Sequence, residues 1–234
     1  MNIDNENNLL NQKIVYDLTK FTHLDFQDHL ACIVWLVGCN MRCDYCYNKS
    51  IVFSKKGEMS LNDVLLFLQK RVGLLDGVVL SGGEATEHNL ISFCKEVKRL
   101  GFLIKLDTNG VNFKEIKRLL KLKLLDFIAL DYKAPKYKFT KITHSNKFDS
   151  FSKTLDFLIL NNFNFEVRTT YHGDLLDEED INFIINDLKN RGYFKSYFLQ
   201  DFLETKDNIG GLKASSVKFD KSKISTSLDV VWRD

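Results

Sequence analysis

Short apolar runs alternating with amphipathic stretches constrain this chain more than any other feature. Six runs are rich in β-branched or aromatic residues: Ala31–Val37, Gly77–Leu80, Phe102–Leu106, Leu125–Leu130, Phe163–Thr169 and Phe194–Leu199. Helical periodicity fills the gaps. Ser60-Leu61-Asn62-Asp63 forms a capping box ahead of a stripe of Leu61, Val64, Leu65, Leu68 and Val72. Further stripes are Leu90/Ile91/Cys94/Val97/Leu100, Ile116/Leu119/Leu120/Lys123, Phe148/Phe151/Leu155/Leu158 and Ile181/Ile184/Ile185/Leu188. The last follows acidic residues that suit a helix N-terminus. Strands joined by helical crossovers form parallel β/α units. On pattern alone both a doubly wound sheet and a barrel are open. Residues 1–30 form an N-terminal extension, and 205–234 follow the last unit without a readable pattern.

No repeat, linker or low-complexity tract divides the 234 residues, so a single domain spanning 1–234 is expected. A formal net charge of +2 gives no reason to expect nucleic acid or a membrane surface as partner. The polar start, Met1 to Asn8, lacks the pattern of a signal peptide, and no apolar run approaches a membrane span. Five cysteines, three of them within eight residues, fit the reducing cytoplasm better than a secreted disulfide scaffold.

The polar clusters share one position: each falls just after, or at the end of, a predicted strand. They are Cys39–Cys46, Ser81-Gly82-Gly83-Glu84, Asp107-Thr108-Asn109-Gly110, Asp131-Tyr132-Lys133, Arg168-Thr169-Thr170 and Gln200-Asp201. In parallel α/β folds the C-terminal strand ends form the active-site face. Core packing alone does not send six loops of this kind to one face.

The first cluster reads Cys39-Asn40-Met41-Arg42-Cys43-Asp44-Tyr45-Cys46, a C-x3-C-x2-C spacing. Such a loop can wrap three thiolates around a [4Fe–4S] cube, leaving one iron open for a non-protein ligand. A structural zinc site is the alternative. Zinc asks for four closed ligands, usually in two spaced pairs, whereas Cys32 and Cys94 sit at core positions and the five histidines are scattered. In Ser81-Gly82-Gly83-Glu84 the glycines allow the backbone close to a ligand, and the carboxylate can pair with an ammonium.

The C-x3-C-x-aromatic-C spacing at the end of the first strand resembles the hallmark of the radical S-adenosylmethionine (SAM) superfamily. Gly82-Gly83-Glu84 resembles that family's GGE motif, with Ala85 where proline is usual. The resemblance implies a partial (β/α)6 TIM-like barrel, a [4Fe–4S] cluster on Cys39, Cys43 and Cys46, and SAM chelating the open iron. Tyr45 would then lie near the adenine, and Gly82, Gly83 and Glu84 would grip the SAM amino group. A narrower resemblance covers residues 14–202 and rests on Phe21–Phe26, Lys105–Gly110, Ala129–Pro135 and Glu166–Thr170. These segments are similar to those of glycyl-radical-enzyme activating proteins, above all the group that activates anaerobic ribonucleotide reductase.

That likeness implies a monovalent cation held by Asp107, Thr108 and Asp131, and Lys133 meeting the SAM carboxylate. Asn109 and Arg168 would be further SAM contacts. Without the resemblance, the same residues read as a capping Asp, an Asn-Gly turn and a solvated lysine. The implied activity is reductive cleavage of SAM to methionine and a 5′-deoxyadenosyl radical, which takes a hydrogen from a glycine of a partner glycyl-radical enzyme. A flavodoxin- or ferredoxin-type donor would supply the electron. The alternative is a small-molecule radical SAM enzyme like the deazapurine carboxylate synthases.

Overall fold

The computed structural model describes residues 8–205 and 207–233. The chain divides into two compact units, and the fold is mixed α/β with an open, mostly parallel sheet.

Of the described residues, the first unit comprises 8–40, 50–108 and 114–128. Its strands are β1 (Val15–Thr22), β2 (Ala31–Leu36), β3 (Gly77–Gly82) and β4 (Leu103–Thr108), followed by the start of β5 (Phe127–Asp131), in that spatial order. β1 runs antiparallel to β2, while β2, β3 and β4 are parallel. The register pairs Leu36 with Gly82 and Leu80 with Leu106, so the three parallel strands end at one edge. Helix α1 is Lys49–Phe53, α2 Leu61–Gln69, α3 Ile91–Arg99 and α4 Phe113–Lys121. The expected capping box opens α2: Ser60 N–H donates to the Asp63 carboxylate at 2.8 Å, and Asp63 N–H donates to Ser60 Oγ at 3.2 Å. The stripe Leu61, Val64, Leu65 and Leu68 is buried; Val72 lies past the helix and is exposed.

Phe26 packs with Ala31, Ile33 and Val79, bordered by Trp35, Leu103 and Phe127. Gly77 makes room for it, since a Cβ there would stand 2.9 Å from the Phe26 ring. Lys105 is buried beside this cluster; its ammonium donates to the Asp25 carbonyl and lies 5.8 Å from the Phe127 ring centre.

Of the described residues, the second unit comprises 41–49, 109–113, 129–205 and 207–233. It holds the end of β5, then β6 (Phe165–Tyr171), β7 (Tyr197–Asp201) and β8 (Val230–Arg233), again in spatial order. β6, β7 and β8 are parallel, pairing Arg168 with Phe198 and Phe198 with Val231. Helices α5 (Lys136–Thr143), α6 (Phe148–Leu160) and α7 (Glu178–Asn190) accompany them. Tyr132, Phe139, Phe148 and Phe151 form a buried aromatic cluster, with Tyr132 and Phe151 edge to face at 4.7 Å. The acidic residues before α7 serve as its cap, through a reciprocal Asp177–Asp180 box. A fork of two hydrogen bonds joins Arg233 to Glu166 at 3.0 and 2.9 Å, and the guanidinium stacks 3.7 Å over Phe198. The short β8 is fixed by its side chains as well as by its ladder.

All six expected strands are present within a few residues of their predicted bounds. Two further strands, β1 and β8, lie in the stretches read as extensions. β1 is an edge strand with most residues only partly buried or exposed, so its apolar alternation is weak. β8 has four residues, too few for a periodic signal. Among the described residues, no helix is long and apolar enough to cross a membrane.

Candidate active site

In the first unit, the backbone turns from the end of β2 into Gly38 and Cys39. This turn rests on the loop after β3. Gly83 N–H donates to the Leu36 carbonyl, and Glu84 N–H to the Gly38 carbonyl, both at 2.9 Å. The two glycines are there for this approach. Gly82 has φ of +117°, and a Cβ on it would meet Leu36 N at 2.3 Å. A Cβ on Gly83 would meet the Gly38 oxygen at 1.9 Å and Cys39 Cβ at 3.3 Å. Gly82 thus admits the end of β2, and Gly83 the turn into Cys39.

Glu84 is buried, at 1% exposure, and its Oε1 is the hub of this loop. It accepts from Thr108 Oγ1 at 2.8 Å, Thr86 Oγ1 at 2.5 Å and Thr86 N–H at 3.2 Å. The carboxylate is therefore aimed by two threonines, of which the sequence reading named only Thr108. Asp107 alternates to the other face of β4: its Oδ2 accepts from Ser81 Oγ at 3.3 Å and its Oδ1 is 3.5 Å from the Lys105 ammonium. The sequence reading also missed His88. Its Nε2 lies 2.7 Å from the Val37 carbonyl and fixes the strand end that leads to Cys39.

The second unit carries Cys43, Tyr45 and Cys46. All five cysteines are free of disulfides, and Cys43 is buried. Burial pushes the Cys43 thiol up to about 12, with the nearby Lys133 cation as the main opposing influence. Burial raises Cys46 as well, and Lys133 again opposes it. Cys43 is thus a buried thiol and Cys46 a partly buried one, both within the electrostatic reach of the Lys133 cation. Cys32 and Cys94 are core residues with no exposure, both raised to about 12 by burial.

Asp131, at the end of β5, is clamped by two cations. Arg168 Nε donates to Oδ1 at 2.5 Å, and the Lys133 ammonium donates to Oδ2 at 2.9 Å. Burial opposes ionisation, but Arg168 and Lys133 outweigh it and hold the carboxyl down at about 2. Asp131 also keeps the partly buried Lys133 protonated well above its usual range, against the opposing effect of desolvation. Lys133 lies 5.7 Å over the Tyr45 ring, and Tyr45 O–H donates to the Lys133 carbonyl at 3.4 Å. Asn109 is buried, and its Oδ1 accepts from Val111 N–H at 3.1 Å, closing the Asn-Gly turn that the sequence offered as its alternative role.

The Asp131 ion pairs carry a pH dependence. A carboxyl at about 2 in the folded chain and near ~3.9 when unfolded adds stability that is complete above pH ~4. That stability is lost as the pH falls from ~4 toward ~2, on the order of 2 kcal/mol. Acid unfolding should therefore be steeper for the wild type than for Asp131→Asn across this window; equal slopes would contradict the assignment.

The profile of the Radical SAM superfamily matches residues 33–188. This chain belongs to the radical SAM superfamily. As a radical SAM enzyme it is of a kind that uses a [4Fe–4S] cluster and SAM. A Methanocaldococcus jannaschii protein named as a glycyl-radical enzyme activating enzyme is 32% identical over 201 residues, covering 83% of this chain and 81% of its own. The pyruvate formate-lyase-activating enzyme of Streptococcus mutans is 32% identical over 130 residues, 49% of each chain. SuiB of Streptococcus suis, solved bound to S-adenosylmethionine, aligns with TM-score 0.66 at 12% identity over 85% of this chain and 48% of its own. The radical SAM chain thus spans about half the length of that structure. QueE of Escherichia coli aligns with TM-score 0.53 at 15% identity, covering 86% and 89% of the two chains. At these identities the solved structures speak for the fold.

Proposed function

We propose that this radical SAM enzyme is a glycyl-radical-enzyme activase, acting as one domain over the whole chain. The observation that carries the reading is the 32% identity, over 83% of this chain, to a protein named for that activity. Its substrate would be a glycine of a partner glycyl-radical enzyme, an anaerobic ribonucleotide reductase in our reading. A flavodoxin- or ferredoxin-type protein would deliver the electron.

Cys39, Cys43 and Cys46 would ligate the cluster, and the donor set supports this: three thiols on one eight-residue loop, two of them within the electrostatic reach of Lys133. The cluster with bound SAM supplies the hydrogen-abstracting radical; the residues of this chain bind, orient and exclude water. Glu84, set by Thr86 and Thr108, would accept from the SAM ammonium, with Gly82 and Gly83 shaping its loop. Lys133 and Arg168 would meet the SAM carboxylate, Tyr45 would flank the adenine and Asn109 would shape the turn beside it. A monovalent cation would be held by Asp107, Thr108 and Asp131; the Thr108 hydroxyl keeps its oxygen lone pairs while it donates to Glu84, and Asp131 is shared with Arg168 and Lys133.

The test is anaerobic incubation with SAM, dithionite and the glycyl-radical enzyme of the same source, followed by electron paramagnetic resonance. A SAM-dependent glycyl doublet on the partner is expected. SAM cleavage without any protein radical would refute the activase reading and leave the small-molecule alternative.

A further inference from the structure

The C-terminal turn 207–212 belongs to the second unit and lies on the cysteine loop. Ile209 N–H donates to the Cys46 carbonyl at 3.0 Å, and Gly210 N–H to the Asp44 carbonyl at 2.8 Å. Gly210 has room only for hydrogen: a Cβ would stand 2.7 Å from Asp44 Cβ and 2.9 Å from both Asp44 Cα and its carbonyl oxygen. The turn is built by one side chain. Asn208 is 4% exposed; its amide nitrogen donates to the carbonyls of Leu212 at 2.7 Å and Thr205 at 3.2 Å, and its oxygen accepts from Leu212 N–H at 2.6 Å. An exposed pair, Lys49 with Asp207 at 2.9 Å, adds a tether.

The end of α5 grips the same loop. Arg42 N–H donates to the Thr143 carbonyl at 2.9 Å and Asp44 N–H to the Ile142 carbonyl at 3.0 Å, while His144 Nε2 lies 2.7 Å from Asp44 Oδ1. Asp44 is thus held through its N–H, its carbonyl and its carboxylate. It directly follows Cys43 and is separated from Cys46 by Tyr45 alone, in a stretch with no helix or strand of its own. Bringing thiolates together forces like charges close, and a loop fixed beforehand loses less freedom when it takes up its ligand.

We propose that the 207–212 turn is a clamp that holds Asp44–Cys46 in the shape that ligates the cluster, with Asn208 and Gly210 as its positioning residues. The proposal rests on the reading of Cys43 and Cys46 as ligands. It is reciprocal: the clamp slows loss of the cluster, and the cluster protects the amides of the clamp.

The test compares wild type, Asn208→Ala, Gly210→Val and Asp174→Ala. Asp174 anchors Ser216 and Val217 of the same C-terminal segment without touching the cysteine loop. Two readouts are used: iron release from anaerobically reconstituted protein to a chelator, and amide exchange of the cofactor-free chains. The clamp predicts ~10-fold or greater acceleration of iron release in Asn208→Ala and Gly210→Val. It also predicts faster exchange at 43–47 in both cofactor-free variants, and wild-type behaviour of Asp174→Ala in both readouts. Wild-type release from an Asn208→Ala chain whose 207–212 amides have opened would overturn the clamp alone. So would equal acceleration in Asp174→Ala. A wild-type chain that takes up no iron would instead overturn the ligand assignment, and the purpose of the clamp with it.

Discussion

Cys43→Ala is expected to abolish iron loading and reduce SAM cleavage to background. A four-iron cube needs one ligand per iron, and in the proposed assignment the loop supplies three thiols and SAM the last corner. Removing Cys43 leaves two. Neither remaining cysteine can replace it: Cys32 and Cys94 are fully buried in the core, and burial raises their thiols to about 12, so neither yields a thiolate readily. Fold stability should survive, because the variant loses one thiol from a loop rather than from a helix or strand. Iron analysis and methionine release from SAM are the measurements, with Cys94→Ala as the variant that keeps both. Iron retained by Cys43→Ala, with SAM turnover intact, would contradict the assignment.

Gly83→Ala is expected to damage fold and site together. The added methyl would stand 1.9 Å from the Gly38 oxygen and 2.6 Å from its carbonyl carbon. Both are backbone atoms, so no side chain can rotate away. Either the β3 loop lifts, breaking the hydrogen bond from Glu84 N–H to Gly38, or the turn into Cys39 is displaced. The loss should reach ~3 kcal/mol or more, the upper range for overpacking. Cluster loading should fall as well, since Cys39 follows the displaced Gly38. Denaturant midpoints and iron content measure the two effects. An alanine variant with wild-type stability and loading would show that the approach of Gly38 to Gly83 is dispensable.

Much of this was legible in the sequence for a simple reason: β2 to β7 are central strands, and buried strands carry continuous apolar runs. β1 and β8 were not, because an exposed edge strand and a four-residue strand leave no run to detect. The candidate residues were recognisable as types, but not what holds them. Glu84 was visible as a carboxylate after two glycines, whereas its partner Thr86 has no pattern of its own. The glycines signalled close approach, and the structure adds the backbone neighbours Leu36 and Gly38 that a Cβ would strike. Asn208 could not have been found: its role comes from bonds to Thr205 and Leu212 in a segment with no periodicity.

The most direct measurement is the cofactor content of the anaerobically reconstituted chain, with the reduced cluster examined by electron paramagnetic resonance before and after SAM is added. Three thiolates and an open corner predict about four irons and four sulfides per chain, and a signal that shifts when SAM binds. A chain that binds a single zinc and no iron, or a cluster whose signal ignores SAM, would contradict the account.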